Sequence, residues 1–433
     1  MNIRKMGFNL ISKMSSTPVK DFLKEFKLSS EEKSELAAKR LNEIIDIATN
    51  KTKFYGDYQT FEEFPIISKS TLREKYKQFL VNDLNKDDAI TTTTSGSSGQ
   101  PMTFYLSRNK KYRQNAEVIF YNNWANIDVG DPHAYVRVTD AKSNFRLFLQ
   151  NEILMNPKQL NDEWLSEQVE ILNKKKLTGI VGYPSSIAAI AHKAIEEGYS
   201  SRDFSLKGII TMGETLKEED AETMEQAFVI RPISRYSTEE FGVLATSCPR
   251  CGKFHCNDTG YIFEILGLDD DKPVEVGELG RVVVTDLFSD NMPLIRFDTG
   301  DVTVYGGESQ CSFYPTGIVL ESIVGRQIET VYDVDGKAVS PFAINGSLRD
   351  FHTIKQFQFI QNSLENNTLL LVVNNEFDDR DKNTIINRFK EVLGKEPEME
   401  IVDELPALKS GKRPYIISNY NKTRESHLEQ NAD

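Results

Sequence analysis

Between residues 102 and 228, short apolar runs alternate with helical patterns, and this alternation constrains the fold more than any other feature of the chain. Residues 102–106, 134–138, 179–183 and 208–212 read as strands, and 109–124, 160–172, 186–196 and 217–228 as helices. A run that is apolar at nearly every position needs cover on both faces, and a strand returned by a helix lies parallel to the next one. The expected fold class is therefore α/β, with parallel pairing in a large N-terminal body. From Gly260 to Thr303 the pattern changes to short β runs at 261–265 and 280–285. Residues 1–85 read as helical and charged, with Ser29 as a cap followed by the acidic first turn Glu31-Glu32.

A second composition shift falls at Gly325-Arg326. Beyond it, strands at 356–361, 369–373 and 398–402, a helix at 382–392 and the tail segment 405–418 form a small α+β unit. The expected domains are 1–325 and 326–433. A chain of 433 residues exceeds what one core usually organises, which agrees with that division. The formal net charge of -13 argues against sequence-independent nucleic-acid binding, which draws its energy from cations on phosphates. The N-terminal residues Met1 to Ile11 lack a cleavage signature, and no apolar run approaches a membrane span, so a cytoplasmic protein is expected.

Four short segments carry the chemistry. The first, Thr91 to Thr103, holds Thr94-Ser95-Gly96-Ser97-Ser98-Gly99, whose hydroxyls and backbone N–H groups suit an anion nest. It is not a Walker A loop, because no Lys-Ser or Lys-Thr follows the second glycine. The second is Arg235-Tyr236-Ser237-Thr238-Glu239-Glu240-Phe241-Gly242, where a carboxylate could hold Mg²⁺. The third, Phe297-Asp298-Thr299-Gly300-Asp301, is a good turn whose aspartate could accept ribose hydroxyls. The fourth is the basic turn Lys409-Ser410-Gly411-Lys412.

Taken in order, with Gly325-Arg326 before the last, these segments resemble the adenylate-forming superfamily of acyl-CoA synthetases and adenylation domains. Within it the chain looks most like the phenylacetate–coenzyme A ligase branch, including its capsule-biosynthesis relatives. The resemblance runs from about Trp124 to Lys412. It implies that Thr94, Ser95, Gly96, Ser97, Ser98 and Gly99 hold the ATP phosphates, and that Gly213, Glu214 and Thr215 lie against adenine. Tyr236 matches the aromatic of the next motif, and Glu240 rather than Glu239 falls on the Mg²⁺-binding glutamate. Asp301 matches the ribose-binding aspartate, Arg326 the hinge arginine and Lys412 the lysine that serves adenylation. The resemblance further implies a multi-subdomain body with a mobile C-terminal domain, ATP and Mg²⁺ as cofactors, and a small carboxylic acid as substrate. Coenzyme A or an amine is the acceptor, and a homodimer is one assembly open to the chain.

The chain departs from that pattern at Gln100, where lysine is common, at Ser237 for glycine and at Asp298 for arginine. Gln327-Ile328-Glu329-Thr330 lacks the acidic pair common in the ligase branch. These departures bear on coenzyme A as acceptor more than on adenylation. A hydroxyl or amine of a sugar or amino acid is the alternative acceptor, and a nucleotide-binding protein without catalysis is a third reading.

The remaining signal is the cysteine cluster. Cys248-Pro249-Arg250-Cys251-Gly252 has the spacing of a zinc knuckle, and Cys311 is the natural distant ligand. His255 and Cys256 compete for the last place, because neighbouring residues of a strand point to opposite faces. A closed four-ligand site is structural, so Zn²⁺ is expected as a clamp.

Overall fold

The computed structural model describes residues 17–94, 102–137, 144–157, 161–268, 270–326, 331–336, 338–339, 343–344, 347–348, 351–405 and 416–420. Its strands, in chain order, begin with a hairpin of β1 (Ile90–Thr94) and β2 (Met102–Leu106). The next five are β3 (His133–Val136), β4 (Glu152–Met155), β5 (Gly179–Gly182), β6 (Gly208–Met212) and β7 (Ile233–Thr238). Six more follow: β8 (Gly242–Ser247), β9 (Phe254–Cys256), β10 (Tyr261–Leu266), β11 (Leu279–Asp286), β12 (Phe297–Glu308) and β13 (Ile318–Arg326). After them come β14 (Val331–Tyr332), β15 (Ala338–Val339), β16 (Ile354–Gln361), β17 (Asn367–Val373), β18 (Glu398–Ile401) and β19 (Ile416–Ser418).

One sheet of 11 strands runs β10-β11-β12-β13-β9-β8-β7-β6-β5-β3-β4. The strands β4, β3, β5, β6 and β7 pair in parallel, as the alternation requires. Helices Asp162–Lys174, Pro184–Glu196 and Glu218–Phe228 cover one face through Val169, Leu172, Ile187, Ile190, Met224 and Phe228. Helix Arg108–Asn122 and the N-terminal Phe22 and Phe26 cover the other. The expected change of pattern after Gly260 is real, but it does not start a new sheet. Hairpins from β7 to β13 extend the parallel sheet with antiparallel strands, so the body is mixed α/β.

Two sequence expectations are corrected here. Thr91–Thr94 was expected in the loop, yet it pairs with β2 from Ile90↔Leu106 to Thr94↔Met102. Four β-branched residues with an apolar partner strand favour that outcome over a coil. Helix Asn144–Gln150 and edge strand β4 were not anticipated, since 144–155 shows neither period cleanly.

A separate four-stranded sheet, β18-β17-β16-β19, packs against helix Asp379–Leu393. Phe359, Leu369, Leu371, Ile385 and Phe389 form its core. That helix opens on Asp378, which accepts from the Arg380 and Asp381 amides, and stops at Gly394 with φ +74°. The large sheet ends at Arg326 and the small one begins downstream, so the composition shift coincides with a change of sheet.

Candidate active site and metal centre

The parallel strands end on one edge of the sheet, and their carboxyl ends bring the candidate residues together. Ligand sites of open α/β sheets lie in this crevice. Arg137 follows β3, Tyr183 follows β5, Gly213-Glu214-Thr215 follows β6, and Glu239-Glu240-Phe241 joins β7 to β8. Gly213 has φ +81°, and a Cβ there would stand 3.0 Å from the Tyr183 ring. Only glycine meets both conditions without strain. Glu214 accepts the Ser185 hydroxyl at 2.7 Å and the Ser185 amide at 3.3 Å, which fixes the start of helix Pro184–Glu196.

The Glu239–Phe241 turn is held from behind by helix Arg108–Asn122. Gln114 Nε2 donates to the Phe241 carbonyl at 3.1 Å, and the Tyr261 hydroxyl donates to the same carbonyl. Glu117 accepts the Val243 amide at 3.2 Å. Gly242 has φ +111°, and a Cβ there would lie 2.7 Å from the Glu117 carboxylate. On the open side, Glu239 accepts from Thr92 Oγ1 at 3.3 Å and pairs with Arg137 at 2.9 Å. Thr92 belongs to β1, so this contact ties the β1–β2 hairpin to the end of β7. The hairpin's tip, Ser95 to Gly99, lies outside the described residues, as do Lys412 and the side chains of Thr94 and Arg326. Glu240 is buried at 4 % exposure beside Tyr236, whereas Glu239 is the more open carboxylate.

Tyr236 donates its hydroxyl proton to Asp301 Oδ2 at 2.7 Å, and its oxygen lies 3.3 Å from Thr299 Oγ1. Burial, reinforced by the Asp301 charge, pushes the Tyr236 phenol well above its ordinary range, so it stays a proton donor. The Asp298–Asp301 turn is built to present Asp301. Gly300 adopts φ +72°, its amide donates to Asp298 at 2.8 Å, and the Asp301 amide donates to Thr299 Oγ1 at 3.1 Å. Asp298 also pairs with Arg281 at 2.6 Å, which explains the acidic residue at that position. Asp301 and Arg326 are cross-strand partners on β12 and β13. Two residues widely separated in sequence are thus neighbours.

The small domain meets this region at Lys217. Lys217 Nζ lies 4.5 Å from the centroid of the Phe357 ring on β16. Burial pushes Lys217 below its ordinary range and pushes neighbouring Asp220 up to about 6.

Cys248, Cys251, His255 and Cys311 place their ligand atoms within 4.8 Å of one another. Cys256 does not join them. It pairs with Ala245 in the ladder, points to the opposite face and is buried in the core with Leu244 and Leu320. The alternation of a strand decides between the two candidates in favour of His255. The Cys248 and Cys311 sulfurs are 3.8 Å apart, close to the roughly 3.8 Å that tetrahedral geometry gives for zinc–sulfur bonds of about 2.3 Å. His255 Nε2 is 3.3 Å from the Cys251 sulfur. Ser309 gives its hydroxyl proton to the Tyr314 carbonyl at 2.7 Å and lies 3.5 Å from His255 Nδ1, which leaves Nε2 for the cluster. Burial pushes the His255 ring below its usual range and so favours the neutral form that binds metals.

Comparison with known proteins agrees with this architecture. Residues 331–419 match the family described as CapK C-terminal domain. Protein CapK of Staphylococcus aureus is 22% identical over 413 residues, spanning 89% of each chain. Phenylacetate-coenzyme A ligase of Thermus thermophilus is 22% identical over 292 residues, 65% of this chain and 64% of that one. Among solved structures, 2-hydroxyisobutyryl-CoA ligase in the postadenylation state with 2-HIB-AMP superposes with a TM-score of 0.73 at 17% identity. That match covers 94% of this chain and 93% of the other. The chain shares its fold with these adenylate-forming ligases. In sequence it resembles the phenylacetate–coenzyme A ligase-like branch of that superfamily, through phenylacetate-coenzyme A ligase and CapK.

Proposed function

We propose that this chain is an ATP-dependent ligase that activates a carboxylic acid as an acyl- or aryl-adenylate and then passes the acyl group to coenzyme A. The observation that carries the reading is the Tyr236–Asp301 hydrogen bond, with Arg326 opposite Asp301 and β1 tied to Glu239. The substrate carboxylate attacks the α-phosphorus of ATP, the bond to the β-phosphate breaks and pyrophosphate leaves. The acyl carbon is then attacked by a thiol, whose proton goes to solvent, and AMP leaves.

Asp301, held in position by Tyr236, accepts the ribose hydroxyls. The hairpin tip from Thr94 to Gly99 cradles the phosphates, and Gly213 to Thr215 lie against the base. Glu240, with Glu239 beside it, supplies the hard oxygen donors that Mg²⁺ prefers. A magnesium ion held by these carboxylates would offset the negative charge that builds on the phosphates. Lys412 meets the carboxylate and α-phosphate, and the small domain turns about Arg326 between the two half-reactions. An amine or hydroxyl acceptor is the second reading, favoured by Gln327 to Thr330, which lack the acidic pair common among coenzyme A ligases.

The test is ATP–pyrophosphate exchange against aryl, fatty and amino acids with coenzyme A omitted. Exchange with one acid class is expected, and Asp301→Ala is expected to weaken ATP binding by about 1.5–3 kcal/mol, the range for a hydrogen bond to a charged group. An unaltered ATP affinity would remove Asp301 from the site, and no exchange with any acid would remove the reaction.

Zinc is proposed at Cys248, Cys251, His255 and Cys311 as a clamp. Its place in the fold gives the reason. Strand β9 has three residues and pairs with β13 at only two positions, Val319↔His255 and Leu320↔Phe254. This is a narrow joint inside the antiparallel half of the sheet, and the ligands come from both sides of it. One equivalent of zinc is expected in freshly purified protein. Removal of zinc by a zinc-selective chelator, with Mg²⁺ kept in excess, is expected to lower Tm while leaving ATP–pyrophosphate exchange intact at temperatures below the transition. Metal-free protein with an unchanged Tm refutes the clamp.

A further inference from the structure

Arg235 is a buried cation whose surroundings offer it little compensation. Its side chain is on β7 at 7 % exposure, and its guanidinium donates one hydrogen bond, to Asn122 Oδ1. Its Nε has no partner, and among the described residues no carboxylate pairs with it. Burial pushes it down to about 10, and the one group that opposes this is the Tyr135 phenol. A buried charge without a partner costs several kcal/mol, so a position of this kind calls for an anion.

A second guanidinium meets the same phenol. The strand register pairs Val136 with Gly182, Gly182 with Thr211 and Met212 with Arg235. Arg137, Tyr183, Met212 and Arg235 therefore form one row across β3, β5, β6 and β7, at the carboxyl ends of the strands. Three strand spacings, about 14 Å, separate the ends of that row. Arg137 donates to the Tyr135 hydroxyl at 3.3 Å, and its own Nε is likewise buried without a partner. Glu239 accepts from Arg137 at the turn, but the described structure pairs no acidic residue with Arg235. Between the two arginines lie Tyr183 and Met212, the latter directly before Gly213, the segment beside which an activated acid would sit.

We infer that Arg235 and Arg137, with the Tyr135 hydroxyl, form a subsite for a second anionic group on the carboxylic acid, so that the substrate is a diacid rather than a simple aryl or fatty acid. This deepens the adenylation reading and rests on it. Arg235 is a specificity-determining residue in this scheme. It binds the end of the substrate that does not react, and the reacting carboxylate remains with ATP.

The experiment compares short dicarboxylates with monocarboxylates of the same carbon skeleton, in ATP–pyrophosphate exchange and in the Tm shift each acid gives without ATP. The wild-type kcat/KM is expected to favour the diacid. Arg235→Gln is expected to lower that preference by about 10- to 100-fold, the loss of one charge-assisted bond. Its kcat/KM for the monoacid should stay near wild type, and Arg235→Lys should restore part of the preference. Arg137→Gln serves as the second variant if Arg235→Gln does not fold. A wild-type preference for the monoacid, or a ratio unmoved by either substitution, overturns the subsite while leaving adenylation in place. If no acid supports exchange, the adenylation reading falls, and the Tm shift decides the subsite alone. A diacid that raises Tm in the wild type but not in Arg235→Gln supports it, and no shift overturns it.

Discussion

Replacing Lys412 by alanine is expected to slow adenylate formation by about 10²- to 10³-fold, with Tm unchanged. Adenylation brings a carboxylate against a triphosphate, so the barrier is largely electrostatic, and a cation at the α-phosphate lowers it where charge develops. Loss of one such preorganised donor typically costs that much in kcat. Lys412 falls in the basic, Gly-containing sequence Lys409-Ser410-Gly411-Lys412 and is not among the residues of the described cores, so its removal is expected to leave folding intact. The two half-reactions separate the readouts. ATP–pyrophosphate exchange should collapse, whereas release of AMP from a preformed acyl-adenylate on addition of the acceptor should persist. Lys409→Ala, in the same turn, is the control expected to change little. Exchange at the wild-type rate in Lys412→Ala sinks the assignment.

The largest stability effect is expected at Asp286. Lys110 and Asp286 are buried at 0% and 1% side-chain exposure and pair at 2.7 Å. Burial pushes Asp286 up to about 6 despite the pull of Lys110. The lysine also reaches the Tyr261 hydroxyl at 3.1 Å and stands 4.6 Å from that ring's centroid. Asp286 additionally accepts the Phe288 amide at 2.9 Å. Asp286→Ala leaves an ammonium ion uncompensated in the core, a change that costs about 3–5 kcal/mol. A double replacement, Lys110→Met with Asp286→Leu, should recover most of that loss, because a buried pair owes little of its worth to net attraction. Denaturant midpoints of the wild type, the single variant and the double variant decide the matter. A single variant as stable as the wild type would show that water or a rearranged partner reaches Lys110.

The consequence for function runs through Tyr261. Its hydroxyl donates to the Phe241 carbonyl, behind the turn that presents Glu239 and Glu240. The Lys110–Asp286 pair therefore stands behind the Glu239–Phe241 turn as well as in the core, so Asp286→Ala is expected to lower activity as well as stability.

The linear order of residues determined a good deal. The alternation of apolar runs and helical patterns required the parallel strands, and the segment 208–212 is a strand over its full expected length. The order of Thr/Ser/Gly loop, Tyr-containing turn, Asp-Thr-Gly-Asp, Gly-Arg and Ser-Gly-Lys pointed to the superfamily, because each motif is local and needs only its own residues to be legible. The Cys-x-x-Cys pair was legible for the same reason.

Tertiary structure decided what depends on register and on contacts between distant segments. Cys256 and His255 are adjacent in sequence, and only the pleat of β9 separates a ligand from a core residue. Asp301 and Arg326 face each other because β12 and β13 pair with three irregularities in register, which no local pattern encodes. Asp298 stands where arginine is common because Arg281, on the neighbouring strand, takes its charge. Arg235 looked like an ordinary residue before Tyr236 in sequence. Its importance lies in the absence of a paired acid around it among the described residues, and that is a property of packing. Hydrophobic periodicity is written along the chain, one element at a time. The balance of buried charge is set only when elements far apart in the chain close around one another, which is why the site's frame could be read in advance and its electrostatics could not.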